Sequence, residues 1–151
     1  MGSSIIVDRG SDLWKTVMHE AAHWVAADEF GWPIKSIEII NARSGVVHTN
    51  DKKMWDRLGK RDPKKYDLYD GIISWAGPVV SLKMAYLFMP SACSYDEKDM
   101  NAVGARGRVS VGTIKSKTRS LVSRRWSMIE RRAEQLYCQS ISKGIKKNSW
   151  W

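Results

Sequence analysis

The sequence predicts an α+β domain that is mainly helical, and three observations carry this. Leu13, Trp14, Val17, Met18, Ala21, Ala22, Val25 and Ala26 recur near helical period across residues 11–30. Residues 34–40 (Ile-Lys-Ser-Ile-Glu-Ile-Ile) alternate as a strand does, and a second short strand-like run covers residues 45–49. Residues 72–88 are nearly apolar all round, as suits a helix in the middle of a core.

Each element has its punctuation. Ser11 or Asp12 can cap the first helix, and Gly31 before Trp32-Pro33 stops it. Residues 41–45 (Asn-Ala-Arg-Ser-Gly) supply turn chemistry for a longer hairpin loop. Residues 50–70 read as a polar connection with about one helical turn. Pro78 calls for a kink or a late start in the apolar helix, where Ala76 and Gly77 are small enough for another helix to come close. Ser94-Tyr95-Asp96-Glu97 has the form of a capping box and opens a third helix through about Ala105. Residues 104–112 read as a loop. A long helix follows from about 117 to 143, with Val122, Trp126, Ile129, Ala133, Leu136 and Ser140 on one stripe. Residues 1–145 thus form a single domain, 106–145 its basic helical part, and 146–151 a flexible tail.

Bulk properties narrow the class. A hydrophobic fraction of 43% beside 27% charged residues is that of a globular domain with a real core. Two cysteines, Cys93 and Cys138, are too few for a disulfide framework and fit a reducing cytoplasm. No secretory signal is legible at the N-terminus. The apolar run over 71–89 is broken by Ser74, Gly77-Pro78, Ser81 and Lys83, so a buried segment is expected and not a membrane span. The net charge of +9 is uneven: residues 106–151 hold 12 Lys/Arg against 2 Asp/Glu, and the rest is close to neutral. Arg124, Arg125, Arg131, Arg132, Lys143, Lys146 and Lys147, with Trp126, Trp150 and Trp151, form a candidate nucleic-acid face. The preferred reading is a helix that buries Trp126 and solvates its arginines.

The chemistry lies in His19-Glu20-Ala21-Ala22-His23, an H-E-x-x-H within the first helix. Histidines four apart share a helix face, so both imidazoles can reach one metal ion. Glu20 is placed to act as general base on a water at that ion. A catalytic zinc takes three protein ligands and keeps one position open. The residues themselves leave the third ligand among His48, Cys93 and the acidic group Asp96, Glu97 and Asp99.

The order of these features resembles the peptidase domain of FtsH-type zinc proteases, in particular small stand-alone relatives carried by phages and prophages. The H-E-x-x-H helix, a Gly-Val-Val strand, the Ala76-Gly77-Pro78 helix and an Asp at the start of the next helix carry the likeness over roughly residues 11–140. The resemblance implies a zincin-like fold and a zinc-dependent endopeptidase in a bacterial or phage-infected cytoplasm. It implies Zn2+ held by His19, His23 and Asp99, since Asp99-Met100 matches an Asp followed by an aliphatic residue; Asp96 is the alternative. Two departures stand out. Val80-Ser81 occupies the place of an Ala-Glu pair, and no G-x-x-x-x-G-K-[ST] is present, so cleavage of peptides or unfolded segments is expected to need no ATP. Residues 84–90 resemble, less closely, a stretch of ImmA-like peptidases, which act on phage repressors; the carboxylate expected just before that stretch is missing. The rival class is a basic nucleic-acid-binding or interaction protein whose zinc site is structural.

Overall fold

The computed structural model describes residues 4–84 and 91–149. Helix α1 (Asp12–Glu29) is followed by strands β1 (Ile34–Asn41) and β2 (Ser44–Thr49). Next come a short helix α2 (Asp51–Met54) running into a π-helical turn (Trp55–Gly59), then α3 (Pro63–Lys83), α4 (Ser91–Ala105), α5 (Val111–Arg124) and α6 (Trp126–Ser142). The chain is mainly helical, with one two-stranded antiparallel sheet. Among the described residues, no helix is long and apolar enough to cross a membrane.

Helix α1 is the centre of the molecule. Ser11 caps it, its side chain accepting from the Trp14 N–H at 3.2 Å. Leu13, Val17, Ala21, Ala22 and Ala26 are fully buried. Side chains of the size of Leu13 and Val17 each contribute about 1.5–3 kcal/mol by leaving water. The alanines contribute differently, keeping the helix surface flat enough for α3 to pack along one side while α6 packs along another. Helix α3 in turn packs against α4 and α5. The hairpin lies against α1, held there where Thr16 Oγ1 donates to the Ala42 carbonyl at 2.6 Å.

Several boundaries differ from the sequence reading. The polar connection over 50–70 is largely helical: Asp62 accepts from the Lys65 N–H and Pro63 takes the first turn, so α3 starts nine residues earlier than its apolar stretch. Pro78 lies inside α3 and does not start it. Helix α4 is already helical at Ser91, so Ser94 sits within it and does not cap it. The hairpin loop is tight, with Asn41 paired to Ser44 and the Asn41 side chain accepting from the Arg43 N–H. The single long C-terminal helix is two, because Arg125 leaves helical geometry (φ −104°, ψ 14°). That break lets α5 follow α3 while α6 follows α1, and Glu29 pairs with both Arg124 and Arg125 beside it.

The segment expected to be a loose tail is bonded onto the start of α1. Leu13 N–H donates to the Lys147 carbonyl at 2.9 Å, and Asp12 N–H to Asn148 Oδ1 at 3.1 Å. Both donors belong to the first turn, where a helix cannot supply its own acceptors. Lys147 also pairs with Asp8 at 2.9 Å. Trp150 and Trp151, and the 85–90 stretch that resembles ImmA-like proteins, lie outside the described residues.

Candidate metal centre

His19 and His23, one turn apart on α1, turn their Nε2 atoms toward each other at 3.1 Å. Asp96 on α4 completes the group. Its Oδ2 lies 2.8 Å from His19 Nε2 and 3.0 Å from His23 Nε2. These three residues could hold a metal ion. Zinc ligands about 2.0–2.1 Å from the ion on a tetrahedron stand about 3.3 Å apart, close to the spacing found. Among the candidates for the third ligand, Asp96 is the one brought to both imidazoles. Asp99, the residue the resemblance favours, lies about one turn further along α4 and lines the cleft in front of the centre.

The outer side of each imidazole is fixed. His23 Nδ1–H donates to the Ile73 carbonyl of α3 at 2.6 Å, which leaves the Nε2 lone pair of the neutral ring facing inward. His19 Nδ1 lies 3.2 Å from the hydroxyl of Ser81, a fully buried residue on α3. Ser81 thus occupies the outer position on the His19 ring. The signal for it in the sequence is its place one helical turn beyond Gly77.

Gly77 determines how closely α3 can approach. A Cβ built on it would stand 2.5 Å from the Nε2 of both histidines, inside any allowed contact. The two rings therefore occupy the space that any larger residue here would fill.

Three inward lone-pair atoms at such distances repel one another unless positive charge stands between them. Burial works against charge on His23, but the Asp96 and Glu20 carboxylates outweigh it and push the imidazole up to about 9. Burial would likewise raise Asp96; the charge of His23 and hydrogen bonds from both histidines hold it far below the usual carboxylate range instead. The centre favours a proton or a cation at one point, and a divalent ion fits this donor set.

Glu20, 3% exposed, stands beside the pair with Oε1 3.8 Å from His19 Nε2. Its Oε2 is the one buried side-chain oxygen or nitrogen among the described residues with no hydrogen-bond partner. Burial raises its pKa, and the histidines pull it part of the way back. An unpartnered buried carboxylate oxygen is costly. Gly45 on β2 makes this position possible, since a Cβ there would stand 2.9 Å from Glu20 Cγ.

A cleft of about 360 Å³ opens in front of Glu20, His23 and Asp96. One wall is β2, through Gly45, Val46 and Val47; the other comes from Ile73 and Ser74 of α3 and from Tyr95 and Asp99 of α4. Pro78 has no N–H to give to the Ser74 carbonyl one turn earlier, on the stretch of α3 that borders the cleft.

The other candidates stand apart from the ligand atoms. Cys93 Sγ lies 3.6 Å from His19 Nδ1, on the outer side of the ring, and burial pushes its thiol up to about 11. His48 is half exposed on β2, 3.9 Å from Glu38. Glu97 is exposed on α4. In the basic C-terminal part, Arg124 and Arg125 pair with Glu29, and Arg132 pairs with Asp28 while lying over the Trp24 ring. Trp126 packs against the core, under Lys83.

No family model matches the chain, and comparison with curated proteins and with solved structures finds no match either.

Proposed function

We propose that the protein is a zinc-dependent metalloendopeptidase acting on peptides or unfolded segments without ATP. The observation that carries the reading is the pairing of a three-ligand group, His19, His23 and Asp96, with an unpartnered buried carboxylate beside it. A structural metal site has no use for such a neighbour, whereas a hydrolytic one requires it.

Zinc held by the three side chains would supply Lewis acidity to the scissile carbonyl and to the attacking water. Glu20 Oε2 accepts the proton of that water and then delivers it to the leaving amine nitrogen. The Ile73 carbonyl and the Ser81 hydroxyl hold the two imidazoles in the orientation that keeps both Nε2 atoms inward. The outer edge of β2 borders the cleft and offers backbone groups to an extended substrate, which would add as a third strand.

Glu20→Gln tests the assignment. The variant is expected to bind one zinc per chain as the wild type does and to lose cleavage of an unstructured peptide pool by at least about a hundredfold. Wild-type cleavage by the zinc-loaded variant would refute the role given to Glu20.

A further inference from the structure

Among the described residues, five carboxylates line the cleft, from Glu20, Asp51, Asp70, Asp96 and Asp99, and no lysine or arginine does. Two of the five belong to the centre itself: Asp96 faces the imidazoles, and Glu20, which also lines the cleft, has an oxygen with no hydrogen-bond partner. The other three have no part in holding a metal or moving a proton.

They are not equally neutralised. Asp70 shares Arg106 at 3.3 Å with the fully buried Asp67. Asp51 is oriented by two neutral donors, Trp32 Nε1 at 3.0 Å and Thr49 Oγ1 at 2.6 Å, which fix the carboxylate without cancelling its charge. Asp99 is exposed on the same face, with Lys98 beside it in sequence as a partial offset. The phenol ring of Tyr95, 71% exposed at the rim, adds an aromatic face that attracts a cation.

We infer that the cleft selects substrates carrying a lysine or arginine side chain close to the scissile bond, with Asp51 and Asp99 as the specificity-determining residues. The inference rests on the peptidase reading for its position in a reaction, but the charge preference is a property of the cleft and can be measured without turnover. A cationic side chain gains from the carboxylates of Asp51 and Asp99 and from Tyr95. An acidic one meets like charge from Asp51 and Asp99, and a neutral one gains nothing from the carboxylates.

The test uses three unstructured fluorescent peptides differing at one position, lysine, norleucine or glutamate, with the zinc-loaded full chain. Cleavage by the wild type is measured beside equilibrium binding to Glu20→Gln by fluorescence anisotropy. The lysine peptide is expected to bind about tenfold more tightly than norleucine at low salt, with the glutamate peptide weakest, and the gap should shrink as salt rises. Asp51→Asn and Asp99→Asn should each narrow the lysine-to-norleucine ratio. Asp99, being exposed, gives a variant whose folding is not at stake. Equal binding of lysine and norleucine peptides, or an unchanged ratio in Asp99→Asn and Asp51→Asn alike, overturns the inference even if all three peptides are cut. If none is cut by the wild type, the peptidase reading fails, and the anisotropy ratios still support or overturn the charge preference.

Discussion

The Oδ2 of Asp96 stands 2.8 Å from Nε2 of His19, across 77 residues of chain. This contact brings α4 to α1 and separates two aspartates one helical turn apart. Asp96→Ala should therefore lose most bound metal, while Asp99→Ala keeps a full equivalent. Metal analysis of the two purified variants beside the wild type decides it, and equal metal loss in both would show that the centre rearranges on loading.

Gly77 and Gly45 each stand where one more methyl group would strike the centre, but they touch different parts of it. A glycine-to-alanine change inside a helix normally stabilises by about 0.5–1 kcal/mol. At Gly77 the sign should reverse, because the added carbon meets two imidazole rings wedged between α1 and α3. Gly77→Ala should melt below the wild type and bind zinc at least about tenfold more weakly. Gly45→Ala presses on Glu20 Cγ, so it should keep its zinc and lose turnover. Calorimetry and zinc titration of the pair separate the two effects.

Ser81 contacts the outer nitrogen of His19 and is itself shielded from water. Removing a partner of this kind typically weakens a metal site about 10–100-fold. Ser81→Ala should fall at the low end of that range, since Cys93 remains 3.6 Å from the same nitrogen. Competition with a zinc chelator of known affinity measures the change. Unaltered affinity would reduce Ser81 to a packing residue.

Asp70 predicts a pH dependence of stability. Burial, with the charges of Asp51 and Asp67, raises its carboxyl to about 6, and Arg106 pulls in the opposite direction. The folded chain therefore holds a proton that the unfolded chain has released by about pH 4. Between those values the native state binds more protons, so this group's contribution to stability falls as pH rises from about 4 to about 6, then levels off. Asp70→Asn lacks that slope, and urea midpoints should move in favour of the variant across the window. Comparing the two proteins at each pH cancels the titration of the histidines they share.

What was readable in the sequence was local. The spacing of His19 and His23 on an apolar stripe specified a helix, a shared face and an adjacent carboxylate, all of which α1 displays. The hairpin followed from alternation and turn residues. The aspartate that faces the histidines was not readable, because Asp96 and Asp99 share a helix face and only the placement of α4 on α3 selects between them. Helix limits failed where capping overrode composition: the Asp62-Pro63 cap begins α3 in a polar stretch, and Ser94 resembles a cap inside a helix already under way. The break at Arg125 has no breaker residue to announce it. It follows from the packing of α5 on α3 and α6 on α1, which sequence periodicity does not express.

The bonds from Asp12 and Leu13 to residues 147 and 148 also bear on when the centre comes into being. The helix that carries both imidazoles is made before the segments that pack on it. Its first turn and its α6-facing side find their partners only after residues 126–149 have been made. Contacts so distant in sequence form late and all together. During translation α1 would lack the supports that hold its histidines in register with Asp96. The His19, His23 and Asp96 group would then come together only once residues 126–149 have joined the fold.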